Sequence, residues 1–262
     1  MKHSIALASV ILASALASTP VRAADVYSAM APEVNTIEKD GWTFAVSPYF
    51  WAAGMSGDSG VFGLPTVHTD MSFGDIWDEL DFAAMAIGEA RYGRYSIFTD
   101  LMYSKISDSS GTPRGVIADS VEVTSETFAG MVGGGYSVLE SDRGNLDLVG
   151  AARLWYAKTE ISFNGGILDG VDRSDSATWV DGLAGVRARY SLTDNWYLTG
   201  WGLVGAGQAD VDWDVAGGIG YKFNDRFSGV AGYRALGVDY SNDGFVMNIV
   251  EQGPIFGVVM HF

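Results

Sequence analysis

Cysteine is absent from the 262 residues, histidine occurs three times and proline six times. Without cysteine there is no disulfide framework, although an exported chain could have carried one. Basic residues are scarce: 16 Lys and Arg stand against 32 Asp and Glu, for a net charge of −16. Such a surface repels nucleic acid, and no basic stripe is present to offset it. Beyond the first residues no apolar run is long enough for a transmembrane helix, so any membrane insertion must be as strands. No Gly-x-Ser-x-Gly occurs.

The beginning of the chain predicts export. Lys2 and His3 form a short basic start, residues 5–16 are apolar, and Val21-Arg22-Ala23 places small residues at the −3 and −1 positions before Ala24. Residues 1–23 are therefore expected to be a cleaved signal peptide, since the apolar run is too short to span a bilayer. Residues 24–40 are polar, carry Pro32 and show no sustained period, as a periplasmic lead-in would. Residues 41–262 form the candidate barrel. Its supply of glycine (34 in the whole chain) and of aromatics (13%) suits tilted, closely packed strands with aromatic belts.

Period-2 alternation predicts a first strand over 41–54. Trp42, Phe44, Val46, Pro48 and Phe50 lie on one face, and Thr43, Ala45, Ser47, Tyr49 and Trp51 on the other. Pro48 is awkward in mid-ladder and predicts a bulge or an unpaired donor. Residues 55–81 are irregular, with a short strand near 65–71 and a Ser72-to-Asp75 capping box. Ile76, Trp77 and Leu80 then follow at the spacing of a short amphipathic helix. That helix could plug the lumen, cover a rim or lie on the membrane surface. Nine further strands are expected at 82–92, 95–107, 121–138, 146–161, 178–190, 196–209, 211–223, 227–240 and 245–262. Short turns at one end and long loops at the other (107–120 and 164–177) suit an outer-membrane meander. Ten strands result, or twelve if residues 55–81 add a hairpin. The glycine run at 133–135 and Gly217-Gly218 fall inside strands, where they read as aids to close approach and bending rather than a phosphate cradle.

The turns share a chemistry. Tyr190 and Trp196 flank one polar Asp-containing turn, Tyr221 and Phe227 another, and Tyr92 and Tyr95 a shorter version. With Trp42, Tyr136 and Phe262 these residues predict one membrane girdle. Trp51, Tyr103, Tyr156, Trp179, Trp201 and Trp213 are candidates for a second, outer one. The last strand is apolar nearly throughout, with Phe256, Val258, Met260 and Phe262 on one face, as a barrel-closing strand requires.

The signal peptide, the repeated aromatic turns and the final His-Phe resemble the small porin-like outer-membrane β-barrel proteins of Gram-negative bacteria. The general likeness covers residues 41–262, and the stretch 50–85 looks like a family-type N-terminal module. The resemblance implies an all-β, antiparallel up-and-down transmembrane barrel in the bacterial outer membrane. Its expected partners are outer-membrane lipid and lipopolysaccharide, with the barrel-assembly machinery engaging the C-terminal strand. No activity, nucleic acid or cofactor follows from it.

Taking the apolar face as lipid-facing, the inward charges are Glu89, Arg91, Asp100, Asp147, Arg153, Asp181, Arg187, Arg189, Asp214, Lys222, Arg234 and Glu251. Paired, they would fill the lumen with groups that cannot face lipid; alternatively they line a narrow pore or form its gate. The expected role is therefore structural or porin-like, with a surface-loop binding or adhesion protein as the alternative and a lipid-modifying barrel enzyme as a third reading. For an enzyme the candidate is His68, near Thr66, Asp70 and Ser72, although a polar loop residue is the simpler reading. Acidic groups at Asp75, Asp78, Glu79 and Asp81 and at Asp169, Asp172 and Asp175 lack the spacing of a known cation loop. The sequence thus assigns no catalytic residue and no metal.

Overall fold

Strict alternation gives each strand an apolar and a mixed face, and a closed ring is the arrangement that turns every apolar face outward and leaves no edge. The computed structural model describes residues 41–111 and 118–262. The expected export signal (1–23), the lead-in (24–40) and part of the 107–120 loop lie outside the described residues. In chain order the elements are β1 (Trp42–Trp51), β2 (Gly54–Gly60), β3 (Val67–Met71), α1 (Phe73–Glu79), β4 (Leu80–Tyr92), β5 (Tyr95–Gly111), β6 (Ser120–Ser141) and β7 (Gly144–Asn164). A 3₁₀ turn at Gly166–Leu168 precedes β8 (Val171–Ser191), β9 (Trp196–Gly207), β10 (Val211–Lys222), β11 (Phe227–Asn242) and β12 (Phe245–His261).

Strands β1 and β4 to β12 form an antiparallel ring of ten, closed where β1 pairs with β12 from Ala45↔His261 to Trp51↔Ile255. Phe262 adds two backbone bonds to Phe44, at 2.9 and 3.3 Å. The β2–β3 hairpin adds two more strands to the upper half of β12, with Val246↔Gly60 to Gln252↔Gly54 in register. The ten and the extra two expected from 55–81 are thus both present.

The outward face carries Trp42, Phe44, Val46, Ile97, Leu101, Val132, Leu154, Val180, Val204, Val215, Phe256 and Val258, all exposed. Around the short-turn end the aromatics are neighbours by register: Trp42↔Tyr92, Tyr92↔Tyr95, Tyr95↔Tyr136 and Tyr221↔Trp196. Ring centroids lie 5.5 Å apart for Trp42–Tyr92, 5.2 Å for Tyr95–Tyr136 and 4.8 Å for Trp196–Tyr221. Tyr190, Phe227 and Phe262 are exposed on the same outward face.

Two expectations are corrected and a third is narrowed. The long loop at 164–177 is mostly strand, because β7 and β8 run 21 residues each and their hairpin rises well past the ~10 residues a transmembrane strand needs. Of the two outcomes expected at Pro48, the unpaired site is the one present: the β1–β12 ladder keeps its register but skips Ser47 and Pro48, and Pro48↔Ala86 is the last pair between β1 and β4. Trp51, Trp179 and Trp201 belong to no outer belt, since they sit on inward strand positions and pack inside the barrel. Tyr103, by contrast, faces outward against Phe82, with ring centroids 5.9 Å apart.

Candidate functional site

The lumen is built in three tiers. In the middle tier, Asp100 on β5, Arg153 on β7, Asp212 and Asp214 on β10 and Arg234 on β11 all point inward and are buried. Arg153 donates to Asp212 Oδ1 at 2.5 Å through Nη1 and to Asp214 Oδ2 at 2.6 Å through Nη2. Arg234 Nη2 donates to both Asp214 Oδ2 and Asp100 Oδ2 at 2.7 Å, and its Nε donates to Asp214 Oδ1 at 3.1 Å. Neutral donors complete the shell: Tyr49 Oη gives to Asp100 Oδ1 at 2.8 Å, Trp155 Nε1 to Asp212 Oδ2 at 2.9 Å, and Trp201 Nε1 to Asp214 Oδ1 at 2.9 Å. Tyr49 Oη in turn accepts from Arg234 Nη1 at 2.9 Å. In the closed ring β5 and β10 stand opposite each other. A guanidinium joining Asp100 to Asp214 therefore crosses the full bore.

Above this layer lies an aromatic stack. Trp155 and Trp179 are parallel with centroids 5.7 Å apart, and Trp179 and Tyr240 are 4.0 Å apart at 8°. Leu236, Val238, Phe245, Met247 and Ile249 fill the space around them. Below it the lumen widens into a cavity of about 1200 Å³ reaching the short turns, where Lys222, Arg226 and Phe262 form its rim. There Arg91 pairs with Asp147, Glu89 accepts from Arg91 Nε at 3.3 Å, and Arg187 Nη2 lies 3.0 Å from Glu89. Arg187 rests over the Phe98 ring at 4.4 Å and Arg189 over Tyr197 at 3.9 Å.

The twelve inward charges predicted from sequence thus fall into separate places. Asp100, Arg153, Asp214 and Arg234 meet in the cross-bore layer. Glu89, Arg91, Asp147, Arg187, Arg189 and Lys222 line the lower cavity. Asp181 is buried and accepts from the Ala209 N–H at 2.9 Å, apart from the layer. Glu251 lies on a different, apolar pocket in the wall. Asp212, Tyr49, Trp155 and Trp201 belong to the layer and were not in the predicted set. The signal for Asp212 was available, since it shares a strand face with Asp214.

Outside the lumen the other candidates resolve into local structure. His68 faces Asp58 across the hairpin, with Nδ1 2.9 Å from Oδ1, and both are exposed. Ser72 caps α1: its Oγ accepts from the Asp75 N–H at 3.3 Å, and Asp75 Oδ2 accepts from the Ser72 N–H at 2.9 Å. The Ser72 hydroxyl, which donates to Asp75 Oδ2 at 2.7 Å, and then the Ser72 N–H hold the Asp75 carboxyl below its ordinary range. Partial burial, then the charges of Asp108, Asp75 and Asp78, push Glu79 up. The ammonium of Lys158, 2.6 Å from Glu160, is held above its ordinary value by that carboxylate. Asp169 accepts from the Gly165 N–H at 2.7 Å and Asp175 from the Phe62 N–H at 2.6 Å. Among the described residues no group of three or more His, Asp or Glu side chains is arranged to hold a metal ion.

No protein-family model matches the chain, and no curated protein matches its sequence. Among solved structures it is similar to Ail, the attachment invasion locus protein of Yersinia pestis, at 11% identity over 85% of this chain and 99% of that one, with TM-score 0.38. It is also similar to the translocator domain of the autotransporter NalP from Neisseria meningitidis, at 15% identity over 84% and 88%, TM-score 0.41. The toluene transporter TbuX of Ralstonia pickettii follows at 10% identity over 85% and 89%, TM-score 0.37. At these identities and scores the likeness carries no functional assignment. The closed ring, the apolar outer face and the aromatic belt at the short-turn end are what a barrel needs to stand in lipid. The chain is a transmembrane β-barrel of the outer-membrane type.

Proposed function

We propose that this protein is a bacterial outer-membrane barrel with a structural role, porin-like in architecture but shut at rest. The reading rests on one observation, the bridging of Asp100 to Asp214 by Arg234 across the bore under a Trp155–Trp179–Tyr240 lid. Two guanidinium groups share three carboxylates in a site closed to solvent, so an ion entering the lumen meets no continuous water. Export through the predicted signal, contact with lipopolysaccharide and assembly through the C-terminal strand complete the proposal. The lower cavity, with five basic and three acidic side chains on its wall, favours anions approaching from the periplasmic end. Any passage would require the cross-bore layer to rearrange.

Solute efflux tests this directly. Vesicles loaded with a small anionic dye and carrying the refolded barrel should retain the dye as well as protein-free vesicles do. An Arg153→Ala/Arg234→Ala barrel should leak. Rapid efflux through the unaltered barrel would remove the proposal.

A further inference from the structure

The barrel wall has a seam. Strand β1 leaves β4 after Pro48↔Ala86, and the upper half of β12 turns to β2 for its partner. β2 pairs with β3, but β3 has no ladder with β4, so residues 80–85 of β4 lack a strand on that side. Helix α1 spans the gap. It is held from outside by Phe50, whose ring makes edge contacts with Phe73 at 5.8 Å and Trp77 at 5.7 Å. Beneath the helix a pocket of about 120 Å³ runs from Phe50 and Tyr103 on the outer surface to Trp155 in the lumen, with Phe73, Ile76 and Met102 on its walls. Glu251 is the one charged side chain on its lining.

The position fixes the environment. Phe50 stands eight residues above Trp42 of the girdle, about 20 Å higher for a strand tilted near 40°. The mouth therefore opens near the outer edge of an apolar band ~25 Å tall, between Phe50 and Tyr103. An apolar cavity of ~150 Å³ accepts a benzene-sized molecule, and water gains little in a site with so few polar partners.

We propose that this pocket is a lateral hydrocarbon site, entered from the bilayer under α1 and sized for one small ring or the end of one alkyl chain. The hydrocarbon comes either from a free apolar molecule dissolved in the membrane or from a lipid acyl chain.

Tryptophan quenching separates the two sources. The barrel is refolded into phosphatidylcholine vesicles and titrated with bromobenzene, then refolded into vesicles of acyl-brominated phosphatidylcholine. Two tryptophans line the pocket, Trp51 and Trp155, so a Trp51→Phe/Trp155→Phe variant is carried through both arms, with folding followed by heat-modifiable gel mobility. A saturable bromobenzene component that disappears in the double variant identifies a free hydrocarbon as occupant. A component of the same origin in brominated vesicles identifies the acyl chain. Ala129→Leu, which fills the pocket without changing a fluorophore, should remove either component. Quenching identical in wild type and the double variant in both arms would overturn the proposal, and it would leave the closed lumen untouched.

Discussion

At the residue scale the account turns on carboxylates that cannot be replaced singly. Asp214 accepts from Arg153, Arg234 and Trp201 at once. Asp214→Ala leaves two buried guanidinium groups short of charge, and it should lower unfolding stability by about 3–5 kcal/mol in urea titration of the vesicle-bound barrel. Two carboxyl groups on α1 give a pH signature. Asp75 has its folded pKa depressed, so its contribution is full above its unfolded pKa and is lost as pH falls through the folded one. Glu79 has its folded pKa raised, so its ionised form opposes folding above that pKa, and protonation relieves the opposition. Amide protection in α1 should therefore pass through a maximum in mild acid, between the two shifted values. Hydrogen exchange corrected for intrinsic rate would show it; protection that rises steadily to neutral pH would not fit. Alternation made the wall legible in the sequence, because Trp42 and Phe256 need only their own strands to reveal their side. The pairing of Arg234 with Asp100 was not legible, since the two stand 134 positions apart and meet only after the ring closes.

At the element scale, turns and small residues position the lumen. Gly220 lies under the Tyr197 ring, and a Cβ there would sit 2.1 Å from it. That ring carries Arg189 at 3.9 Å and exchanges a hydrogen bond with Ser228 at 3.0 Å. Gly220→Ala should displace it and destabilise the barrel by roughly 1–3 kcal/mol, read as an earlier urea midpoint with an unchanged slope. The Gly133–Gly135 run works similarly, because a Cβ at Gly133 would meet Phe98 at 2.5 Å. The capping box of α1 was readable from Ser72 and Asp75 alone. The place of the helix was not, because it depends on β12 changing partners halfway along its length. Ser72→Ala should weaken α1 by about 1 kcal/mol and speed exchange of its first-turn amides. Unchanged exchange would mean that Phe50, Phe73 and Trp77 alone hold the helix.

At the scale of the whole molecule, a surface fit for lipid encloses an interior shut by ion pairs. The number of strands and their inward charges followed from period and parity. Whether those charges leave a channel did not, because that depends on which strands face each other across the bore. Arg187 and Arg189, natural candidates for a filter, line the lower cavity, while the layer that crosses the bore belongs to Arg153 and Arg234. The most direct measurement is single-channel conductance of the refolded protein in a planar bilayer, paired with Arg153→Ala/Arg234→Ala. The account predicts an inserted barrel without sustained steps in the unaltered protein and discrete openings in the variant. Sustained openings in the unaltered protein, at a frequency the variant does not change, would contradict it.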